Sequence, residues 1–598
     1  MVAKKENQRQ QRRQPDQILE FVARELGNGP VLKYYFDKMQ LVKTIDELVP
    51  TRPQREKLTH GEAVAALITM LLNYSHALYA MEKWGAQNDI LRSIFPYLEP
   101  SDYSDDRLAR TLDDMFARGL RTIHSAVSLA MIRGFNLCVS NIHHDTTSFS
   151  FYGVYEEEES EESEEPKVVA AGAQRPPHIT HGYSRDRRPD LKQVVSSLSV
   201  TEEGVPILAQ VHDGNFADGP NYLEHWFELS RMLGRTDFLY LGDTKLSTIS
   251  ILAELIRREG CFLCPRPLTV KEQRQIAQAI KRGEIRLSQL DDRDGVKLSN
   301  YSFWEGEEEF EHEGERLRVR KLIFLSQGLA CKKRAKTEQR LKKARAELRQ
   351  LSKDLNKRKL KDRCAIERAA LKILEGHHVS RYIQVRVDKE QKLVSKQIGP
   401  GRPSVNTEYR EETLKSFKLK FKTNRQALEE ARLCEGIFVM WTNAPRERLR
   451  AEQALLEHKK AWKVERGHRD LKGPIALTPI YLHKPERIAA LTLVCVIALQ
   501  VLRLMELEVR LAIARRRRPL CGLYPNKRRV ERPSGMLMLK EIGKIQTITL
   551  VGKEGLEKLA LSKLTGLQEE VLELLGVPFS YYVEAINHLR TIKFHDTS

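Results

Sequence analysis

Three carboxylates in this chain stand where metal-assisted phosphodiester chemistry would need them. Asp145 lies in Asn141-Ile142-His143-His144-Asp145-Thr146-Thr147-Ser148-Phe149, at the edge of a predicted strand. Asp243 ends the apolar run Phe238-Leu239-Tyr240-Leu241-Gly242-Asp243, and Glu465 sits in the basic helical stretch Lys463–Lys472. Two aspartates ending strands and a glutamate on a helix can converge on two divalent cations, a pair that polarises a phosphodiester and activates the attacking oxygen. The glutamate stretch carries a second signal. His458, Trp462, Glu465, Arg469 and Lys472 are spaced four, three, four and three residues apart, so on one continuous helix all five share a face. Such a face sets a metal-binding carboxylate among groups that suit phosphates, with one aromatic able to stack on a base. The plainer reading of the same spacing is an amphipathic helix with a solvated charged side.

The elements that must position these residues are legible as an α/β pattern. Phe135–Ser150 reads as a strand. Gln193–Val200 alternates and leads through a Glu203-Gly204 turn to Pro206–His212 as its hairpin partner, which ends at Asp213-Gly214-Asn215. Tyr222–Leu233 reads as an amphipathic helix, Phe238–Gly242 as a buried strand, Ser247–Arg258 as a helix and Cys261–Cys264 as another strand. Three antiparallel strands followed by alternating helices and strands is the order of a ribonuclease-H-like core. The core resumes with the strand Gly436–Asn443, after which Pro445 opens a long helix carrying Glu465.

Around this core the chain divides by pattern. Residues 1–15 form a disordered basic tail and 16–134 a helical N-terminal domain, either a helix-turn-helix-like reader of DNA ends or a plain packing domain. Residues 135–270 and 434–510 are the two parts of the core, 271–433 an α/β insertion, and 511–598 a mostly helical C-terminal region. Within the insertion Lys332–Glu375 is helical and rich in Lys and Arg. Its Leu341, Ala344, Leu348, Leu351 and Leu355 suit an intramolecular helical hairpin or a dimer contact. Phe310–Leu325 and Tyr382–Ile398 alternate like strands. The acidic run Glu156–Glu165 reads as a solvated loop, or as a DNA mimic that shields a basic site. Arg515–Arg518 and Lys527–Arg529 either track phosphates or sit in solvent.

Composition narrows the class of partner. A chain of 598 residues exceeds one domain, and its net charge of +19 favours a polyanion. Met1–Gln17 is basic and polar, unlike a secretory signal, so the eight scattered cysteines are expected to be reduced and intracellular. Only Cys261 and Cys264 have ligand spacing, and without a second pair they suit a buried strand better than zinc. Ile488–Leu499 is too short and interrupted to span a bilayer and reads as a core helix.

Taken together the motifs resemble a DDE transposase of the insertion-sequence-four superfamily, sixteen-thirty-four branch. The resemblance is carried by His144-Asp145-Thr146-Thr147, by His181-Gly182-Tyr183-Ser184-Arg185-Asp186 with Arg188-Pro189-Asp190-Leu191, and by Gly204-Val205-Pro206-Ile207, Gly214-Asn215 and Leu241-Gly242-Asp243. Gly436-Ile437-Phe438, Val464-Glu465-Arg466, Arg469-Asp470-Leu471-Lys472, Pro479-Ile480-Tyr481 and Glu486-Arg487-Ile488 continue it, and Leu26–Phe95 resembles the helical N-terminal domain of that branch. The resemblance runs from about residue 25 to 510 and implies a ribonuclease-H-like core with a β-rich insertion and cut-and-paste transposition. It implies Asp145, Asp243 and Glu465 as catalytic ligands of two magnesium (or manganese) ions, and Lys472 as a phosphate contact. Arg469, Arg466, His458, Trp462 and Asn215 are the further candidate DNA contacts; Asp213-Gly214-Asn215 is equally plain turn chemistry. The family signature has Tyr and Arg where this chain has His458 and Ala461. Histidine can still donate to a phosphate and alanine cannot, which bears on any hairpin intermediate. His143 and His144, and His178 and His181, are read as structural or DNA-facing, because hard cations prefer oxygen.

The partners implied are double-stranded DNA, as terminal inverted repeats and as target, and a second copy of the chain in the DNA complex. No membrane is implied, and the expected location is the cytoplasm of a prokaryote, at the nucleoid. Two other classes stay open: a domesticated DNA-binding protein without catalysis, and a ribonuclease-H-like nuclease without strand transfer.

Overall fold

The computed structural model describes residues 20–52, 56–73, 78–152, 175–292, 295–357, 360–475, 482–552 and 555–595. The basic tail, the acidic run 156–165 and Pro479-Ile480-Tyr481 lie outside the described residues. The fold is mixed α/β, and the chain divides into two compact units: residues 1–263 with 456–598, and residues 264–455.

The first unit is built on five neighbouring strands, the last of which continues past it. β1 (Asn141–Ser150), β2 (Gln193–Thr201), β3 (Pro206–His212), β4 (Leu239–Leu241) and β5 (Cys261–Arg266) lie in the order β3-β2-β1-β4-β5. β1 pairs antiparallel with β2, and β2 with β3, while β1 to β4 and β4 to β5 are parallel. The hairpin of β2 and β3 turns through Gly204, whose φ of +88° suits a residue without Cβ. Every residue of β2 is buried, so its serines and Thr201 must bond inside the protein.

Helices cover both faces of this sheet. α1 (His60–Asn73) is buried on all sides from His60 to Leu72, which marks it as a core helix of the N-terminal region. α2 (Asp105–Arg118) is amphipathic, and α3 (Leu120–Phe135) follows it across Gly119. α4 (Asp218–Leu233) and α5 (Ile249–Arg257) connect the strands. α6 (Trp462–Lys472) packs on β1 and β2, and α7 (Pro485–Arg516) packs on β3, α6 and the N-terminal helices. Neighbouring β2 residues show the two layers. Leu198 faces α6 at Gly467, and Ser197 faces α4 at His225.

Four expectations need correction. Phe135 closes α3, Asn136 caps it in the left-handed region, and the strand begins only at Asn141. Asp145 therefore lies mid-strand, not at a strand edge. The long helix expected after Pro445 is two helices, Ala451–Lys459 and α6, broken at Lys460 and Ala461. The N-terminal region is not wholly helical: Glu20–Glu25 is a strand, antiparallel to Gln546–Gly552, which pairs in turn with Gly555–Leu561. That pairing also puts two strands in the C-terminal region. Finally, α7 has 32 residues and is long and apolar enough to cross a membrane, but its most apolar stretch is wholly buried in the protein, as a core helix should be.

The insertion expected at 271–433 lies inside the second unit. There the strands Tyr301–His312 and Glu315–Ser326 form a hairpin, and Ile437–Thr442 pairs antiparallel with the latter. Ile383–Gln397 and Tyr409–Thr423 form a second, longer hairpin. The basic helical stretch is two helices, Gln327–Lys353 and Arg363–Gly376. Leu341, Ala344 and Leu348 of the first pack with Ile366, Ala370 and Leu374 of the second, so the leucine spacing makes an intramolecular hairpin.

Candidate active site

Asp145 is the fifth residue of β1 and pairs in register with Leu198 on β2. Asp243 follows the end of β4, the parallel neighbour of β1. Glu465 is exposed on α6, which lies over β1 and β2 because Gly467 lets it approach closely; a Cβ there would sit 2.8 Å from Leu198 Cδ2. Asp145 registers the meeting of the three. Burial pushes its carboxyl up to about 6, with Asp243 and Glu465 adding to the rise against the Thr146 N–H and the Arg185 guanidinium. Three acids remote in sequence are thus within electrostatic reach of one another.

Each aspartate is held by its own neighbours. Asp145 Oδ1 accepts from the Thr146 N–H at 2.8 Å. Arg185 donates to Thr146 Oγ1 at 2.5 Å and brings Nη1 to 3.7 Å from Asp145 Oδ1. Asp243 is clamped more tightly. The buried Tyr222 hydroxyl donates to its Oδ1 at 2.7 Å and accepts from its N–H at 3.2 Å, and the Lys245 N–H adds a bond of 2.8 Å to the same oxygen. The Lys245 ammonium has its pKa lowered by burial and by Arg185, and raised by Asp145. Arg185, Tyr222 and Lys245 were not among the sequence candidates. Arg185 does lie in the motif Tyr183-Ser184-Arg185-Asp186, and Tyr222 on a helix read only as amphipathic; what each touches depends on tertiary contacts.

α6 sorts the remaining candidates by face. Trp462, Glu465 and Arg469 are exposed, and Lys472 is half-buried at the end of the same face. Lys472 Nζ grips Asp186 through both carboxylate oxygens, at 2.8 and 2.9 Å, and lies over the Phe149 ring. Arg466 departs from its expected role. It turns inward, 2.6 Å from the buried Glu506, as part of an ion network that also joins Asp470 and Arg503. His458 lies on the preceding helix, half-buried, with its pKa lowered by burial and by His143. It does not share a continuous helix with Glu465. Asn215 is exposed in the turn where the Phe216 N–H bonds Asp213 O.

The histidines beside Asp145 are structural. Successive strand residues face opposite ways: His143 lies 3.6 Å from Glu457, and His144 shares a hydrogen bond of 3.0 Å with Ser199. Burial holds His144 well below the usual range and His468 down at about 3, so both are neutral. His178 and His181 are exposed.

The donors at the carboxylate centre are all oxygen, which suits a hard divalent cation. A buried Asp145 raised further by Asp243 and Glu465 is an electrostatic setting that a cation would relieve. Among the described residues no three of His, Cys, Asp or Glu are grouped tightly enough to enclose a metal ion as they stand. The carboxylates thus form an electrostatic cluster, not a closed ligand shell. Cys261 and Cys264 lie on β5, in keeping with their reading as strand residues.

One protein family matches part of the chain: residues 22–129 fit a family described as a domain of unknown function, DUF4277. The matched segment runs from the N-terminal strand through most of α3. No curated protein matches the chain.

Proposed function

We propose that the chain is a DDE-type DNA transposase, which cleaves DNA at the ends of a mobile element and joins the freed ends to target DNA. The observation that carries this reading is the effect of Asp243 and Glu465 on Asp145, on a sheet of order β3-β2-β1-β4-β5 that would suit a ribonuclease-H-like core. The match at residues 22–129 supports it, since that domain is found in transposase-like proteins.

Asp145, Asp243 and Glu465 would hold two divalent cations, magnesium or manganese, which when bound polarise a phosphodiester and favour ionisation of an attacking hydroxyl. The protein side of the chemistry is positioning. Tyr222 and the Lys245 N–H fix one oxygen of Asp243 and leave the other for the centre. Arg185 holds a positive charge beside Asp145 and offers a fork that suits a phosphate. Trp462 can stack on a base on one side of Glu465, while Arg469 and Lys472 can reach the backbone on the other. Hydrolysis at the element's end releases a 3′-hydroxyl, and that hydroxyl attacks a target phosphodiester in a second displacement. A pair of chains would bring the two ends together.

The test is excision and integration of a marked element by the wild type beside Glu465→Gln, with a separate joining assay on pre-cleaved ends. Wild type should yield joined product, and Asp145→Asn, Asp243→Asn and Glu465→Gln should bind ends without cutting them. Cleavage that survives in all three variants overturns the assignment. Cleavage by wild type without joined product makes the protein a nuclease, and end binding without either activity in wild type makes it a domesticated binder.

A further inference from the structure

A second cationic site lies beside α6, away from the carboxylates. A cavity of about 600 Å³ is bounded by the turn at Glu202 and Glu203, by Lys463 and by the C-terminal end of α7. Four cationic side chains line it: Lys463, Arg510, Arg517 and Arg532. Lys463 and Arg510 are half-buried at its base and the other two are exposed. Among the described residues none of the four makes an ion pair. Lys463 donates to the Glu202 carbonyl, and Arg510 donates to the Glu203 carbonyl at 3.1 Å.

The acids nearby do not balance them. Glu202 is taken by Lys460. Glu203 and Glu531 also line the cavity, which leaves two carboxylates against four cations. Like charges gathered in a partly desolvated place are unfavourable without a counter-ion. The strain registers at Arg510, whose pKa burial lowers against the opposing pull of Glu506, with Arg532, Arg466 and Arg503 adding to the lowering.

We infer that this cavity seats backbone phosphates of a DNA strand, with Lys463 and Arg510 at the floor and Arg517 and Arg532 closing from the rim. DNA is favoured over a smaller anion because Lys463 stands next to Trp462 on the helix that carries Glu465. A strand passing over the exposed face of α6 would therefore meet the cavity next. The inference rests on the proposed DNA chemistry for its ligand, and not on any catalytic step.

The experiment measures binding of a mixed-sequence duplex to the full chain by fluorescence anisotropy, across a series of salt concentrations and with chelator present to prevent cutting. The variants are Arg517→Ala/Arg532→Ala and a charge-matched control, Arg231→Ala/Arg235→Ala on and after α4. Each phosphate contact adds close to one to the slope of log K against log salt. The rim variant should lower that slope by roughly two and weaken binding roughly tenfold or more at low salt, while the control keeps the wild-type slope. Pyrophosphate should compete only weakly. Wild-type binding with an unchanged slope in the rim variant overturns this site and leaves the transposase reading standing. Equal losses in rim variant and control, competition by pyrophosphate as strong as by duplex, or equal loss toward polyglutamate would also overturn it. Failure of the wild type to bind duplex at all would remove both readings.

Discussion

Two groups of acids lie on different faces of α6, and the protein balances them differently. On the inner face Asp470 and Glu506 meet Arg466 and Arg503, with Arg469 3.9 Å from Asp470 at the edge and Glu506 also accepting the Gly535 N–H at 3.0 Å. On the sheet side Asp243 and Glu465 act on Asp145, and the Arg185 guanidinium stands 3.7 Å from it. In the inner group each buried acid has at least two arginines, as a buried ion network needs if it is to hold a helix in place. The other is short of positive charge. An imbalance of that kind is unfavourable for the isolated protein, and it is the usual mark of a site that acquires a partner.

The largest expected effect comes from unbalancing the inner group. Arg503 is 3% exposed and bonds both Asp470 and Glu506. Arg503→Met would remove the most buried arginine of the network and leave Arg466 as the main partner of both acids, at a cost of about 3 kcal/mol. Denaturant unfolding should show this as a large fall in midpoint, or the variant should fail to accumulate folded. A stability within about 0.5 kcal/mol of wild type would mean the network does not hold α6.

The reverse change at the centre should stabilise. Asp145 has its pKa raised from 3.8 to about 6 in the folded state, so folding opposes its ionisation. Well below the unfolded pKa both states are protonated and nothing is lost. As pH rises toward 6 the unfolded chain ionises first, and above 6 the folded protein carries the full penalty, on the order of 3 kcal/mol. Asp145→Asn should therefore abolish cleavage yet raise thermal stability at pH 7.5, with the gain fading as pH falls toward 4. Magnesium should raise the melting temperature of wild type more than that of the variant. Equal stability at pH 7.5 would show that folding does not penalise the Asp145 carboxylate.

How far these differences could be read beforehand depends on the range of the contacts that make them. The hairpin of β2 and β3 was legible because alternation and a Gly204 turn are local signals, and the strand after it was legible as an apolar run. Helical phase placed Trp462, Glu465 and Arg469 outward correctly, since it needs only the sequence of one helix. The same phase could not reveal the break at Lys460 and Ala461, because a 3.6-residue period runs on through a short interruption. Arg466 was beyond reach for another reason: its partner Glu506 is on α7, far along the chain. Glu20–Glu25 was missed likewise, because its strand pairs with residues 546–551, over 500 positions away. Tyr222 belongs with these, an amphipathic position whose hydroxyl meets Asp243 only once the sheet has formed.

That tyrosine gives a more moderate test of the unbalanced group. Tyr222→Phe keeps the ring against His144, 4.8 Å between centroids, and removes only the hydroxyl that bonds Asp243. Loss of one such bond to a charged group is worth about 1.5–3 kcal/mol where the carboxylate stays dry, and less where water replaces it. Cleavage should slow about tenfold, and the magnesium concentration for half-maximal rate should rise. A slower rate with unchanged magnesium dependence would make the tyrosine a packing residue and not a positioning one.

The smallest effect tests whether a charge can be released toward DNA. Lys472 is held by Asp186, whose side chain is 42% exposed, and such a pair stabilises the fold by at most about 1 kcal/mol. Asp186→Asn should leave the melting temperature nearly unchanged and tighten duplex binding a few-fold. Removing any acid near a polyanion could do the same, so the decisive measurement is the double-mutant cycle with Lys472→Ala. If Asp186 restrains Lys472, the gain from Asp186→Asn disappears once the lysine is gone. If the gain persists, it reflects the general field, and the ion pair at the end of α6 is only a clasp between the helix and the segment carrying Arg185.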